Sequence, residues 1–146
     1  MAIMKEQTWK RHSNPWSVWT RVLTNPLVYI PVWNRSWRQA VLVGAWFLLN
    51  PRLFPPPHNN SSWATRSVLG EQIWTSKPRA DLPMALNMFS ALLFLVALYS
   101  AYARQLRRLL SFGGLALVFK LWFLERMVTY YDEYLARPWW RRLWGS

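Results

Sequence analysis

Charged side chains inside apolar stretches are the residues of this sequence best placed to do chemistry. Lys120 lies well inside the apolar run 109–124. Arg21, Glu125 and Arg126 lie close to the ends of apolar segments. A charge at the centre of a membrane helix costs about 2.5–3.5 kcal/mol, so such a residue is either functional or held in a structural ion pair. Both interpretations apply to these four residues.

Lys120 requires a partner that the sequence can only suggest. Glu125 is five residues further on, which misses the spacings of three and four that place side chains on one helix face. We expect Glu71 to be the partner, because the segment 64–74 returns to the same side of the membrane. The alternatives are that Lys120 reaches the membrane boundary, stays neutral, or faces an anionic headgroup or a pigment carbonyl.

The histidines and acidic residues suggest little further chemistry. His12 and His58 lie in separate polar segments without a second metal ligand at helical spacing, so we expect no metal site. The sequence shows no catalytic triad, nucleophile elbow or phosphate-binding glycine loop, and no Cys. A membrane-facing His12 would suit axial ligation of a haem or a chlorophyll-type pigment. Asp132 and Glu133 are expected to be solvated on a surface turn.

The excess of basic residues indicates anionic lipid rather than nucleic acid. The formal net charge is +12, and the basic residues flank apolar runs and alternate with Trp. Each basic residue near an anionic membrane surface contributes about 1 kcal/mol to membrane binding. The clearest example is the C-terminal tail, where lipid or partner contacts are predicted for Arg137, Trp139, Trp140, Arg141, Arg142 and Trp144.

The elements that must position these residues are predicted to be membrane helices. Residues 82–103 carry no charge and are long enough to cross about 30 Å of hydrocarbon. The next apolar run would complete a helical hairpin. The fold class is therefore all-α: a polytopic membrane protein with three to four short transmembrane helices and an interfacial loop helix. The predicted spans are residues 16–33, 37–54, 82–103 and 106–130, the first of them short, broken or re-entrant.

Prolines and small residues refine this organisation. Three Asn-Pro pairs occur; those at Asn14 and Asn25 are predicted to start helices, and the one at Asn50 to end a span. Small residues four apart, such as Ala40 and Gly44 or Ala97 and Ala101, are predicted to form helix contacts. The single membrane domain divides into a polar N-terminal segment, two broken or short spans, a polar loop, a helical hairpin and a Trp-rich tail: residues 1–15, 16–54, 55–81, 82–134 and 135–146.

Four sequence strings add a resemblance to a known family. They are RHSNPWS at residues 11–17, NPRLFP at 50–55, WATRSVLGE at 63–71 and WFLERM at 122–127. The chain resembles a small multi-span membrane protein family of unknown function found in archaea and bacteria, over residues 10–131. The resemblance implies a membrane location and no particular reaction.

Two classes of function are compatible with these features. The first is a small accessory subunit of a larger membrane complex of photosynthetic or respiratory type, contacting lipids, other membrane chains and, in one version, pigment or haem. The second is a membrane-embedded enzyme or transporter for a lipid-like substrate, which would use His12, Arg66, Glu71, Lys120 and Glu125. We expect a prokaryotic inner or photosynthetic membrane, with both termini in the cytoplasm.

Overall fold

The computed structural model describes residues 6–76 and 80–138, and these form helices joined by short connections. The elements in chain order are α1 (Glu6–His12), α2 (Pro15–Thr24), a 3₁₀ turn (Asn25–Val28), α3 (Tyr29–Asn34), α4 (Trp37–Leu53), α5 (Trp63–Thr75), α6 (Leu82–Tyr102) and α7 (Leu106–Ala136). No strand occurs within the described ranges, and the predicted all-α class is confirmed for them.

Side-chain caps explain where most of these helices begin. The Asn14 side chain accepts a hydrogen bond from the Trp16 amide, and Pro15 occupies the first helical position of α2. Asp81 caps α6 in the same way by accepting from the Met84 amide. Such caps satisfy amide groups that have no partner inside the helix. Ser36 and Ser62 provide the corresponding caps for α4 and α5.

The centre of the fold is the antiparallel hairpin of α6 and α7. Ala97 and Ala101 of α6 are fully buried and lie in one cluster with Leu109 of α7 and Tyr29 of α3. The Ser90 hydroxyl donates to the Ala116 carbonyl oxygen at 2.8 Å across the hairpin. The small side chains therefore allow the close helix approach that their spacing predicted. Of the described helices, α6 is the one long and apolar enough to cross a membrane.

The helix α5 crosses α7 near the end of α7 that lies away from the hairpin turn. Gly70 is buried at the crossing, where an added Cβ would lie 2.8 Å from the Met127 carbonyl carbon. Arg66 forms an ion pair with Asp132 at 2.8 Å. Asp132 is exposed, as predicted, but the prediction of a surface turn was wrong: α7 continues to Ala136, and Asp132 links it to α5.

Two Asn-Pro pairs mark element boundaries in the N-terminal half, close to where the sequence predicted them. The pair at Asn25 starts a 3₁₀ turn and not an α-helix, so residues 16–33 form two helices separated by that turn, in agreement with the predicted broken segment. Pro51 lies inside the last turn of α4, which ends at Leu53. Asn50 is fully buried and held by α2, so the last turn of α4 is fixed from outside the helix. Gly44 faces open space, and the predicted helix contact at this residue is not made within the described structure.

Candidate functional site

A buried network of polar side chains joins α2 to α4. Asn50 accepts a hydrogen bond from the Ser17 hydroxyl and donates one to the Thr20 hydroxyl, both at 2.9 Å. One helical turn further on, the Trp46 indole donates to the Thr24 hydroxyl at 2.8 Å. Buried polar groups are costly unless they are paired, and these groups are paired. The network therefore fixes α2 against α4.

His12 and Arg21 form a second polar contact at the junction of α1 and α2. The Arg21 guanidinium lies 2.8 Å from His12 Nε2 and also donates to the Ser17 carbonyl oxygen at 3.0 Å. Because arginine has no acceptor, His12 Nε2 must accept and the ring proton must lie on Nδ1. The buried Nδ1 atom has no partner among the described residues.

The surroundings of His12 keep its imidazole neutral. Burial, reinforced by the positive charges of Arg21 and Lys120, lowers the pKa of His12 from 6.5 to about 4. Neutral imidazole is the form that binds a haem or chlorophyll metal. However, Arg21 already occupies Nε2, so axial ligation through this nitrogen would require the contact with Arg21 to break. The pigment or haem role remains a prediction.

Lys120 projects between α6 and α7, where its neighbours are polar and aromatic. Its ammonium donates to Asn87 Oδ1 at 3.1 Å and lies 4.4 Å from the centre of the Phe123 ring. The ion pairs within 4 Å among the described residues do not include Lys120 with Glu71. Glu71 instead interacts electrostatically with Arg21 of α2. The helix pairing thus offers Lys120 an amide oxygen from α6 where the sequence suggested a carboxylate from α5.

Two adjoining cavities open beside Lys120. The first, of about 260 Å³, is lined by Lys120, Asn87 and Ser90 together with apolar residues of α6 and α7. The second, of about 430 Å³, lies between α3 and α7 and is lined mainly by apolar side chains and by Gly113 and Gly114. Asn25 and Leu117 line both cavities. We call the two cavities together the α7 groove.

Two of the remaining predicted site residues, Glu71 and Arg137, lie in the described part of the chain and do not line this groove. Glu71 is half-buried on α5, and Arg137 is exposed at the C-terminal cap of α7. The other predicted tail contacts lie outside the described residues: Trp139, Trp140, Arg141, Arg142 and Trp144. The structure therefore brings His12, Arg21 and Lys120 into one electrostatic neighbourhood.

Sequence reasoning missed the residues that complete these contacts. Asn87 and Ser90 are polar residues three apart in an otherwise apolar helix, which places them on one face. That spacing was a usable signal for a polar side of α6. Asn50 was interpreted only as part of a helix end, although an Asn after a long apolar run also predicts a buried hydrogen bond.

Comparison with known proteins decides the family. The sequence model of a family of unknown function, DUF6653, matches residues 2–139. This chain belongs to DUF6653. No curated protein and no solved structure gave a match.

The family match covers the whole of the described fold. The seven α-helices in the described part of this DUF6653 member, the α2–α4 network and the α7 groove lie within residues 2–139. The expected relationship to a family of unknown function is confirmed, and the match extends beyond residues 10–131 at both ends. The DUF6653 match assigns no activity, so the function must be argued from the geometry.

Proposed function

We propose that this DUF6653 member is a polytopic helical membrane protein that serves as a small structural subunit of a larger membrane assembly. The observation that carries the proposal is the exposure of α6. The helix has 21 residues, a length of about 32 Å, and only 22% of its most apolar stretch is buried. The core helix of a water-soluble protein would be mostly buried, so lipid or another chain is the better match for this surface.

The outer face of α4 supports more than one membrane span. Val41, Leu42, Leu48 and Leu49 are exposed, Leu48 by 77%. The 17 residues of α4 extend over about 26 Å, close to the thickness of a bilayer hydrocarbon core. The connection before α4 and the turn before α7 also lie together, because the Arg35 guanidinium stands 4.7 Å from the centre of the Tyr102 ring. Helices whose ends meet at one level in this way suit the crossing of one bilayer.

The same face of α4 supports a partner chain. Ala40 and Gly44 are both exposed, and nothing lies within 4 Å of a Cβ built on Gly44. Small residues four apart allow two membrane helices to approach closely. Since no helix among the described residues uses the pair, a helix of another subunit is the occupant we propose.

The residues suggested for an enzyme or transporter are largely engaged in structural contacts. His12 accepts from Arg21, Arg66 pairs with Asp132, and Glu125 accepts from the Trp63 indole. These contacts hold α1 to α2 and α5 to α7. They favour the structural subunit over a catalytic role for this set of residues.

A substitution at Gly44 tests the proposal in the source cells. The tagged chain should stay with the membrane after alkaline carbonate extraction and should elute from a mild-detergent column in fixed ratio with a partner chain. Gly44→Leu should lower the amount of partner several-fold without changing the thermal stability of the purified chain. Gly114→Leu is the matched control, because nothing lies within 4 Å of a Cβ on Gly114 either, and it should retain the partner.

Two results would contradict the proposal. Release of the chain by carbonate would exclude integral membrane insertion. Elution of the wild-type chain alone, with lipid and detergent accounting for the rest of its mass, would exclude the subunit role.

A further inference from the structure

The α7 groove has the length and shape of a binding site for one alkyl chain. Its α7 wall follows a single helix face from Leu106 through Leu110, Gly113 and Leu117 to Lys120. Fourteen residue steps along a helix span about 21 Å. One leaflet of the hydrocarbon core is about 15 Å thick, half of the total. A membrane-length acyl chain therefore fits along this wall.

The opposite wall of the groove exists because the N-terminal helical segment is broken. The 3₁₀ turn at Asn25–Val28 separates α2 from α3, and Asn25, Pro26, Tyr29 and Ile30 line the apolar cavity. Tyr29 lies close to Gly113, where an added Cβ would be 3.3 Å from the Tyr29 ring. Gly114, the next residue, has nothing within 4 Å of a Cβ. Tyr29 thus closes one side of the groove, and the space at Gly114 stays open.

The groove is charged at one end only. The Lys120 ammonium has three N–H donors, and Asn87 Oδ1 accepts from it at 3.1 Å. Within the described residues no carboxylate lies within 4 Å of it. Asn25 borders the same cavity, and its side-chain amide makes no hydrogen bond to a described residue. The N–H groups of Lys120 and Asn25 are therefore available to donate hydrogen bonds to an anionic group in the cavity.

We propose that the α7 groove binds one long-chain fatty acid, with its carboxylate on Lys120 and Asn25 and its chain along α7 toward Leu106. One ammonium matches one carboxylate charge, and no arginine of the kind that grips phosphate with two parallel bonds lines either cavity. A single helix face bounds the groove, which suits one chain. The inference goes beyond the structural role and does not depend on a partner subunit.

Photo-crosslinking of the full chain in phosphatidylcholine nanodiscs tests this site. The probe is palmitate carrying a diazirine in the middle of its chain, and specific labelling is the part that excess palmitate displaces. We expect specific labelling on α3 and on α7 between Leu106 and Leu117. Methyl palmitate, which lacks the negative charge, should displace the probe at least tenfold less effectively than palmitate.

Matched variants separate the groove from the lipid-facing surface. Lys120→Met should lower specific labelling roughly tenfold or more, as expected for loss of a charge-assisted hydrogen bond. Arg126→Met, which removes an exposed charge from the same helix, should leave it unchanged. Gly114→Leu should reduce labelling by filling the open space, whereas Gly44→Leu on α4 should not.

Three outcomes would overturn the proposal. Equal displacement by palmitate and methyl palmitate would show that the charge is not recognised, even if Lys120→Met failed to fold. Labelling confined to the exposed faces of α4 and α6 would show partition into lipid only. Stronger displacement by lysophosphatidylcholine than by palmitate would assign the site to a phosphate headgroup. These three measurements do not depend on the partner subunit, so its loss in Gly44→Leu would bear on the proposed structural role and not on the fatty-acid site.

Discussion

Individual polar residues in this chain differ in how completely their hydrogen bonds are satisfied. Asn50 has both a donor and an acceptor partner on α2. His12 has one nitrogen paired and the other buried without a partner in the described residues. Lys120 has an amide oxygen and an aromatic ring as neighbours, and no carboxylate of the described residues lies within 4 Å of it. Asn50 therefore acts as a fixed structural link, while His12 and Lys120 each retain unused hydrogen-bonding capacity.

The neutral state of His12 makes stability dependent on pH. The folded pKa of His12 is about 4 against 6.5 for the free side chain. Between these values the unfolded chain binds a proton that the folded chain does not, so the free energy of unfolding falls as the pH drops from 6.5 to 4. The loss contributed by this residue is up to about 3 kcal/mol. Thermal melting in detergent across this pH range measures it.

Substitutions of the two histidines attribute this pH dependence to its source. Gln at residue 12 keeps an acceptor for Arg21 but does not titrate, so His12→Gln should flatten the melting temperature between pH 6.5 and 4. His58 is exposed in the loop before α5, and His58→Gln should keep the wild-type slope. An unchanged slope in His12→Gln would show that other groups cause the acid sensitivity.

Asn50 should be among the least tolerant polar positions. Asn50→Ala leaves the buried Ser17 hydroxyl without its acceptor and removes the donor to Thr20. An unsatisfied buried group costs about 1–3 kcal/mol, so we expect a loss of at least this size in the free energy of unfolding. Asn59→Ala, at an exposed loop residue, is the control and should change stability little. Equal melting temperatures for the two variants would contradict a structural role for the network.

At the scale of elements, the crossing of α5 and α7 depends on one glycine. A Cβ on Gly70 would overlap the Met127 backbone, and neither main chain can move without separating the helices. Overpacking of this kind costs about 1–3 kcal/mol, and we expect Gly70→Ala to lose that much stability. Gly44→Ala should instead be neutral or stabilise α4 by up to about 1 kcal/mol, because its Cβ meets nothing. Denaturation of the two variants in detergent should therefore give shifts of opposite sign or very different size.

Element boundaries were predictable where local chemistry decides them. The Asn14-Pro15 start of α2, the uncharged run that forms α6 and the α5 helix all follow from caps and composition. The Asn50-Pro51 pair was predicted to end a span, and α4 ends at Leu53; what the sequence did not specify is that hydrogen bonds from α2 hold this last turn in place. The sequence did not identify Asn87 as the hydrogen-bond partner of Lys120 for a similar reason. Whether α5 or α6 reaches Lys120 depends on how far the helices are displaced along α7, and no local signal encodes that displacement.

At the scale of the whole molecule, apolar clusters pack at both ends of α7, but the polar side-chain contacts to α5 are concentrated at one end. The hairpin end has the apolar cluster of Tyr29, Ala97, Ala101 and Leu109. The other end of α7 holds α5 through Arg66–Asp132, Trp63–Glu125 and the contact of Trp74 with Phe123. Lys120 lies between the two ends. A fatty acid bound there would have its head near the polar end and its chain along the apolar one, as an amphiphile lies in a membrane.

Cysteine labelling tests the membrane topology, and the absence of native Cys makes each introduced thiol the sole target. The structure holds the short connection at Ser36 and the turn at Gln105 at one end, since Arg35 donates to the Tyr102 carbonyl oxygen at 3.5 Å. With four crossings, Ser36→Cys and Gln105→Cys should label from outside intact cells and Ser62→Cys only from the cytoplasm. Ala97→Cys is the control, because Ala97 is fully buried and should label only after denaturation. Labelling of all three test positions from one side would exclude the four-crossing arrangement, since α4 and α6 must each carry the chain across for Ser62 to lie opposite the two turns.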